Sequence, residues 1–416
     1  MAACALVGLG VSLASIASCG HNNEMGWLHA EHVGDLSHGP APRAAFDHEL
    51  DEACGPGALS ARGEAAFLRK PYLQRVTPDG AWLLWTTPAT TPATVTAWDS
   101  ANGSANSSAN GQKLRFNAEV DVSAPIEGGR QMVARLTALQ PGRIYCYEVH
   151  DASGVLAEAA GFRTAPASAS TVRFVALGDL GQKGVDQLAV VEQMQRVPFE
   201  IVLMAGDLAY EDGRLEEYES YFFGVYAEVA RKVPLMVASG NHDYNTDDAA
   251  AFRQVFALFE NGGERWYSFD WGPMHVAVLD TELMGATQTD WLERDLSAAT
   301  APWKIAMMHR PAYSSGAHGS DEHVQEQFVP IFERHGVQLV LAGHDHHYER
   351  THSLNGVIYI VTGAGGVGTR AVDRSDFTAF SERVSHFVHV TVEDQALTMR
   401  AIDASGMDFD SLKLTR

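Results

Sequence analysis

The chain has 416 residues, 46% of them hydrophobic and 20% charged, and 30 basic against 52 acidic side chains leave a net charge of −22. Such a length favours two domains over a single core. An acidic field of this size argues against nucleic acid or anionic lipid headgroups as partners held by bulk charge, and any phosphate-bearing ligand needs local positive charge such as a metal site.

The first element, "MAACALVGLGVSLASIASCG", is uncharged and apolar from Ala2 to Ala17. It is too short and too rich in small residues for a membrane span and suits an export leader, residues 1–19. Its end, "IASC", resembles a bacterial lipobox, so lipidation of Cys19 is one route to membrane attachment; the other reading is a leader cleaved near Ser18. The expectation is an exported protein, whether secreted, periplasmic or lipid-anchored at the cell surface. Residues 20–66 carry His21, His29, His32, His38 and His48 among Gly, Pro and acidic residues, with no helical or strand period. They read as a solvated, His-rich tether. Cys54 and Cys146 are available to pair after export, which sequence alone does not decide.

From 67 to 165 the pattern becomes short β-like runs, "GAWLLWTTP", "TVTAWDS", "GRIYCYEVHD" and "GFRTAP", separated by turn residues. They predict an all-β sandwich of immunoglobulin size, with "SANGSANSSANG" as a low-complexity loop between two strands. "APASAST" is a small-residue linker. Residues 171–416 then alternate buried-strand runs ("TVRFVAL", "EIVLMA", "VPLMVAS", "MHVAVL", "WKIAMM", "VQLVLA", "VIYIVT") with helical stretches, the rhythm of an α/β fold. "VDQLAVVEQMQR" predicts a helix. So does "DEHVQEQFVPIFERHG", where Val324, Phe328 and Phe332 recur every four residues, Gly336 is a stop signal and Pro330 imposes a kink.

Residues placed just after the strands carry the chemistry. Asp179 comes after "FVAL", Asp207 and Tyr210 after "IVLMA", Asn241, His242 and Asp243 after "LMVAS", His309 after "IAMM", and His344, His346 and His347 after "LVLA". Taken singly each is weak, since an Asp after a strand often only caps a loop. Five successive strand ends bearing oxygen and nitrogen ligands, at the crevice where open α/β sheets place their sites, point to a site. Mixed carboxylate, imidazole, amide and phenol donors suit hard or borderline cations. Two such ions can hold a phosphoryl group and acidify a water.

The order "GDLG … GDLAY … GNHD … H … GHDH" resembles the metallophosphoesterase superfamily, and the purple acid phosphatases in particular. Gly181 stands where many other metallophosphoesterases carry a histidine, the tyrosine of "GDLAY" matches a chromophoric ligand, and "PYLQRVTPDGAWLLWTT" resembles the start of that family's N-terminal β domain. The resemblance covers about Phe67 to the C-terminus. It implies a fibronectin-III-like sandwich followed by a layered αββα metallophosphoesterase domain. It further implies an Fe(III) site of Asp179, Asp207, Tyr210 and His346, with Asp207 bridging to a divalent ion (Zn, Mn or Fe) held also by Asn241, His309 and His344. Side chains two apart in an extended segment point the same way, which lets His344 and His346 address one centre and sends Asp345 and His347 elsewhere. The implied reaction is hydrolysis of a small phosphate monoester by metal-bound hydroxide, with His242 facing the phosphate and His318 contacting substrate. Where some relatives have two adjacent histidines this chain has Gly319 second, which leaves the leaving-group acid open, and His318 has a solvent-exposed loop residue as its other reading. A phosphodiesterase or phytase on the same centre is the near alternative. A non-catalytic surface binding protein is the distant one, opposed by the filled ligand positions. A nuclease fits poorly with the charge.

Overall fold

The computed structural model describes residues 29–31, 45–88, 92–102, 113–126, 128–167, 171–263 and 265–416. The expected leader, Cys19 with its lipidation, and most of the low-complexity loop lie outside these residues.

The N-terminal β domain is a seven-stranded antiparallel array from Arg69 to Arg163. Its long strand Leu114–Ile126 pairs first with Ala93–Asp99 and then with Gly129–Thr137, so one strand belongs to both halves of the domain. The residues ahead of it correct an expectation. Within the segment read as a solvated tether, His29–Glu31 pairs antiparallel with Asp408–Thr415, and His48–Cys54 and Ala61–Ala66 are helices. Leu50 is buried, Phe46 stacks on Phe199 at 5.1 Å, and Lys232 pairs with Asp47 and Asp51 at 2.9 and 2.6 Å. Cys54 is disulfide-bonded to Cys146. A helix of seven residues is too short to display apolar periodicity; tertiary contacts hold it.

The second domain stacks two seven-stranded sheets. In one, the parallel strands Val172–Leu177, Ile201–Ala205 and Leu235–Ala238 continue into the antiparallel strands His386–Val392, Ala396–Asp403 and Asp408–Thr415. The other centres on the parallel strands Met274–Val278, Trp303–Met307, Leu339–Ala342 and Ile358–Thr362. Alternation sorts their side chains. Phe174, Ala176, Ile201 and Leu203 meet Val276, Ile305, Leu339 and Ile360 in the core between the sheets. Val175, Leu177, Val202 and Met204 turn outward onto the helix Val185–Met194, and Ala306, Met308 and Val340 turn outward onto Ala286–Ala298 and Val329–His335. This is the expected αββα layering. The helix read through Pro330 is two helices, Glu322–Gln327 and Val329–His335. Proline starts the second rather than kinking one, because a first turn needs no donor at that nitrogen.

The two domains dock through buried polar contacts. Arg69 reaches Glu219 and lies over the Phe223 ring, Tyr72 donates to the Val255 carbonyl at 2.7 Å, and Tyr147 donates to the Arg231 carbonyl at 2.8 Å.

Candidate metal centre

All seven residues expected as ligands meet at the carboxyl ends of the parallel strands of both sheets. Asp179, Asp207 and His344 each follow a glycine and adopt left-handed backbone, with φ of 56°, 52° and 72°. Asp and His are among the few residues other than glycine that tolerate this region, and such strain gathers where geometry must aim a functional side chain. The strand ends are tied together: Asp179 N–H donates to the Gly206 carbonyl at 3.0 Å and Gly343 N–H to the His309 carbonyl at 2.9 Å. A Cβ at Gly206 would lie 2.5 Å from the His309 ring, one at Gly343 2.5 Å from the Asp179 carboxylate, and one at Gly240 would strike Asp207. Backbone without side chains makes room for the cluster.

The cluster has two halves joined by one carboxylate. On one side Tyr210 donates to Asp179 Oδ1 at 2.9 Å, and His346 Nε2 lies 3.4 Å from the same oxygen. On the other, His309 Nε2 lies 3.2 Å from Asn241 Oδ1 and 3.3 Å from His344 Nδ1. Asp207 Oδ2 stands between them, 3.1 Å from the Tyr210 hydroxyl and 3.3 Å from His309 Nε2. Nδ1–H of His309 donates to the Ala205 carbonyl at 2.8 Å and Nδ1–H of His346 to the Gly368 carbonyl at 3.1 Å. Each therefore turns Nε2 toward the centre, the arrangement by which outer partners orient metal-binding imidazoles. Two carboxylates, a phenol, an amide oxygen and three imidazoles, six of the seven buried, form a donor set that fits a pair of hard or borderline cations.

Electrostatics agree. Burial favours a neutral Asp207, but His309 and His242 outweigh it and hold the carboxyl below its ordinary range. Burial lowers His309, but Asp207 and Asp179 carry it up to about 10. Burial, then Asp179 and Asp207, push the Tyr210 phenol well above 10. Burial followed by the charges of His309 and Arg310 pushes His344 down to about 2. A cation entering here displaces protons from His309 and Tyr210, so uptake weakens toward acid.

His242 borders the same site. Its N–H donates to Asp207 Oδ1 at 2.8 Å, its Nδ1 to the Glu211 carbonyl at 2.6 Å, and its ring lies 4.3 Å from that of Tyr210. His318 sits at the mouth, stacked on His344 with centroids 4.2 Å apart, and its Nε2 accepts from Arg370. His347 lies apart, buried against Glu349 at 3.4 Å. The histidine cluster departs from the extended backbone expected for it. Residues 344–347 are bent, with Asp345 N–H bonded to Gly343 O and His347 N–H to Asp345 O. Asp345 points away, accepting from Ser314 Oγ at 2.5 Å and from the N–H of His318 at 3.0 Å, and so anchors the His318 loop.

Several participants were missed from sequence. Arg310, next to His309, is gripped by Glu282 at 2.7 Å through both Nε and Nη2 and directs Nη1 at His344 Nε2, 3.4 Å away. For Asp243, singled out beside Asn241 in the sequence, only the role was missing: it is buried, accepts from Tyr218, Leu208 N–H and Gly240 N–H, and so clamps the segment bearing Asn241. Gly368 and Arg370 come from "GAGGVGTR" after the strand Ile358–Thr362. A glycine run leaving a strand and ending in arginine was the available signal.

Residues 172–348 match the calcineurin-like phosphoesterase family and residues 70–164 the purple acid phosphatase N-terminal domain. An uncharacterised protein of Mycobacterium tuberculosis is 28% identical over 54% of this chain and 51% of its own length. Purple acid phosphatase 15 of Arabidopsis thaliana is 30% identical over 56% of this chain and 53% of its own length. The chain thus spans about half the length of these relatives. The structure of purple acid phosphatase PPD1 from yellow lupin (Lupinus luteus) seeds aligns over 83% of this chain and 74% of that one with a TM-score of 0.72, at 22% identity, and shares the fold. With both matched domains in the order the fold displays, the chain carries a purple acid phosphatase N-terminal domain at residues 70–164 followed by a calcineurin-like phosphoesterase domain at residues 172–348.

Proposed function

We propose that the chain hydrolyses small phosphate monoesters at a binuclear metal centre, with Asp179, Asp207, Tyr210 and His346 holding Fe(III) and Asp207, Asn241, His309 and His344 holding a divalent ion (Zn, Mn or Fe). One observation carries the reading: a single oxygen, Asp207 Oδ2, stands within 3.3 Å of both halves of a buried donor set. When bound, the ions supply positive charge for the phosphoryl oxygens and acidify a water.

The chain's own groups do the rest. His242 keeps Nδ1 engaged by the Glu211 carbonyl and turns Nε2 inward, 3.9 Å from Asp207 Oδ2, where it orients the phosphoryl group and holds a proton for it. His318 caps His344 at the mouth. In this geometry its Nε2 accepts a hydrogen bond from Arg370 and offers no proton to a leaving alkoxide. Export is supported by the Cys54–Cys146 disulfide, a bond that persists in oxidising compartments.

Metal analysis with an assay on 4-nitrophenyl phosphate tests the proposal. Two metal ions per chain and turnover that disappears on chelation are expected; no turnover by the fully loaded protein refutes it. The ferric assignment requires a visible charge-transfer band that Tyr210→Phe removes, and an iron-loaded but colourless wild type refutes that part.

A further inference from the structure

After Tyr210 the chain turns back on itself between Glu211 and Arg214, ahead of the short helix Leu215–Glu217. Glu217, only 6% exposed, fills that turn. Its Oε1 accepts from Glu211 N–H at 3.0 Å, and its Oε2 from Asp212 N–H at 3.1 Å and Arg214 N–H at 2.9 Å. A glutamate at the third helical position ordinarily reaches back to one N–H, that of the cap, here Arg214. The other two donors lie ahead of the helix, so capping does not account for them. Burial favours a neutral Glu217, but the N–H groups of Arg214, Asp212 and Glu211 outweigh it and hold the carboxyl below its ordinary range. Arg214 Nη2, 2.8 Å from Oε1, adds a positive charge from the solvent side.

One of those N–H groups has a second partner across its own peptide plane. The Asp212 nitrogen shares a peptide unit with the Glu211 carbonyl, and in a planar trans peptide the N–H and C=O point in opposite directions. That carbonyl accepts from His242 Nδ1 at 2.6 Å and from Asn245 Nδ2 at 3.2 Å. A single peptide unit therefore stands between an ionised carboxylate and the imidazole that faces Asp207. The turn is seated on the segment bearing His242: a Cβ at Gly213 would lie 2.6 Å from the His242 carbonyl oxygen, and the Asp212 carbonyl accepts from Thr246 Oγ1 at 2.6 Å. Hydrogen bonds in series polarise one another in a low-dielectric interior, so the carboxylate makes the Glu211 carbonyl a stronger acceptor for Nδ1–H.

We infer that Glu217 is a positioning residue for the hydrolysis, fixing the ring direction and tautomer of His242 through the Glu211–Asp212 peptide unit. This rests on the role proposed for His242. The carboxylate keeps the Nδ1 proton on the carbonyl side and so leaves Nε2 turned inward. A carboxylate bonded directly to a histidine does the same work in a hydrolytic triad. Here a peptide unit is interposed.

The test is a double-mutant cycle on the metal-loaded protein with 4-nitrophenyl phosphate, using Glu217→Gln, His242→Ala and the two together. Glu217→Gln keeps the size of the side chain but sets an amide NH2 against N–H donors. Loss of a charge-assisted bond is expected to lower kcat about tenfold with metal content unchanged, and to cost nothing further once His242 is alanine. A loss of the same size in both backgrounds, or no loss, overturns the inference. So does loss of metal from Glu217→Gln, since the turn would then serve Tyr210 instead. Amide hydrogen exchange on the metal-free protein gives a readout without turnover: Glu217→Gln should speed exchange at Asp212 and leave Gly343 protected, and unchanged exchange at Asp212 overturns the inference. Should Glu217→Gln fail to fold, Arg214→Ala loosens the same carboxylate and should show a smaller loss with the same dependence on His242; an additive loss there overturns it likewise. If loaded wild type hydrolyses no phosphate ester, the proposed function fails and the positioning role falls with it, whereas additive losses in an active enzyme overturn the positioning role alone.

Discussion

Around His275 the ring places Nδ1 against Asp270 and Nε2 against Asp295, both at 2.8 Å, whereas around His309 one nitrogen is taken by a carbonyl and the other faces Asp207, Asn241 and His344 together. Both settings put imidazole beside acidic side chains in the same domain, yet their bonding is opposite. At His275 each nitrogen meets one acceptor and Asp295 is further satisfied by Ser268 at 2.6 Å, so a protonated ring leaves nothing unpaired. At His309 acceptors outnumber protons and converge on one point. A surplus of lone pairs in a buried place is what distinguishes a cation site from an ion pair.

The largest effect that would break this contrast is on activity. His309→Ala should lower turnover at least about 100-fold and empty the divalent position while the fold persists. Full activity with both metals retained would make His309 another structural histidine. Next, Gly240→Ala should lower metal occupancy, because its Cβ meets the Asp207 carboxylate, while φ of −123° leaves the backbone unstrained. Elemental analysis showing full occupancy would rule out the glycine cradle.

Stability, not catalysis, is the readout at His275. Burial lowers its pKa, but Asp270 and Asp295 win and raise it to about 9 from 6.5. The contribution is therefore whole below about pH 6.5 and disappears as pH rises through about 9. His275→Gln should cost about 1–3 kcal/mol at pH 6 and less at pH 9 in denaturant titrations, with turnover unchanged.

A smaller effect of opposite sign is expected at His386, where burial pushes the pKa down to about 4 although the Val384 carbonyl accepts from Nδ1. Its Nε2 lies 3.1 Å from Thr362 Oγ1, which donates to the neutral ring. As pH falls from 6.5 toward 4 the unfolded chain takes up this proton and the folded one does not, so stability falls. His386→Gln should flatten the acid side of the stability profile by about 1 kcal/mol, and an unchanged slope would show that other groups set it.

Much of the architecture was legible because buried parallel strands are written as continuous apolar runs, and each run from "TVRFVAL" to "VIYIVT" contains one. The three C-terminal antiparallel strands, Tyr348–Thr351 and Thr378–Glu382 were not read, since half-polar strands such as "ALTMRAID" lack that signature. The helices at 48–54 and 61–66 escaped because one buried leucine, an ion-pair cluster and a disulfide hold them, none of which has a period.

The sequence by itself determined the identities and order of the candidate donors, because ligand chemistry is a property of residue type and each candidate comes after a strand run. Only the tertiary structure decided which oxygen joins the two halves, which nitrogen of each histidine faces inward, and that Arg310 and Arg370 meet the same imidazole pair. Those are matters of direction rather than composition. They depend on left-handed turns at Asp179, Asp207 and His344 and on two sheets bringing their strand ends together across 165 residues of chain, the separation between His344 N–H and the Asp179 carboxylate it bonds at 2.7 Å.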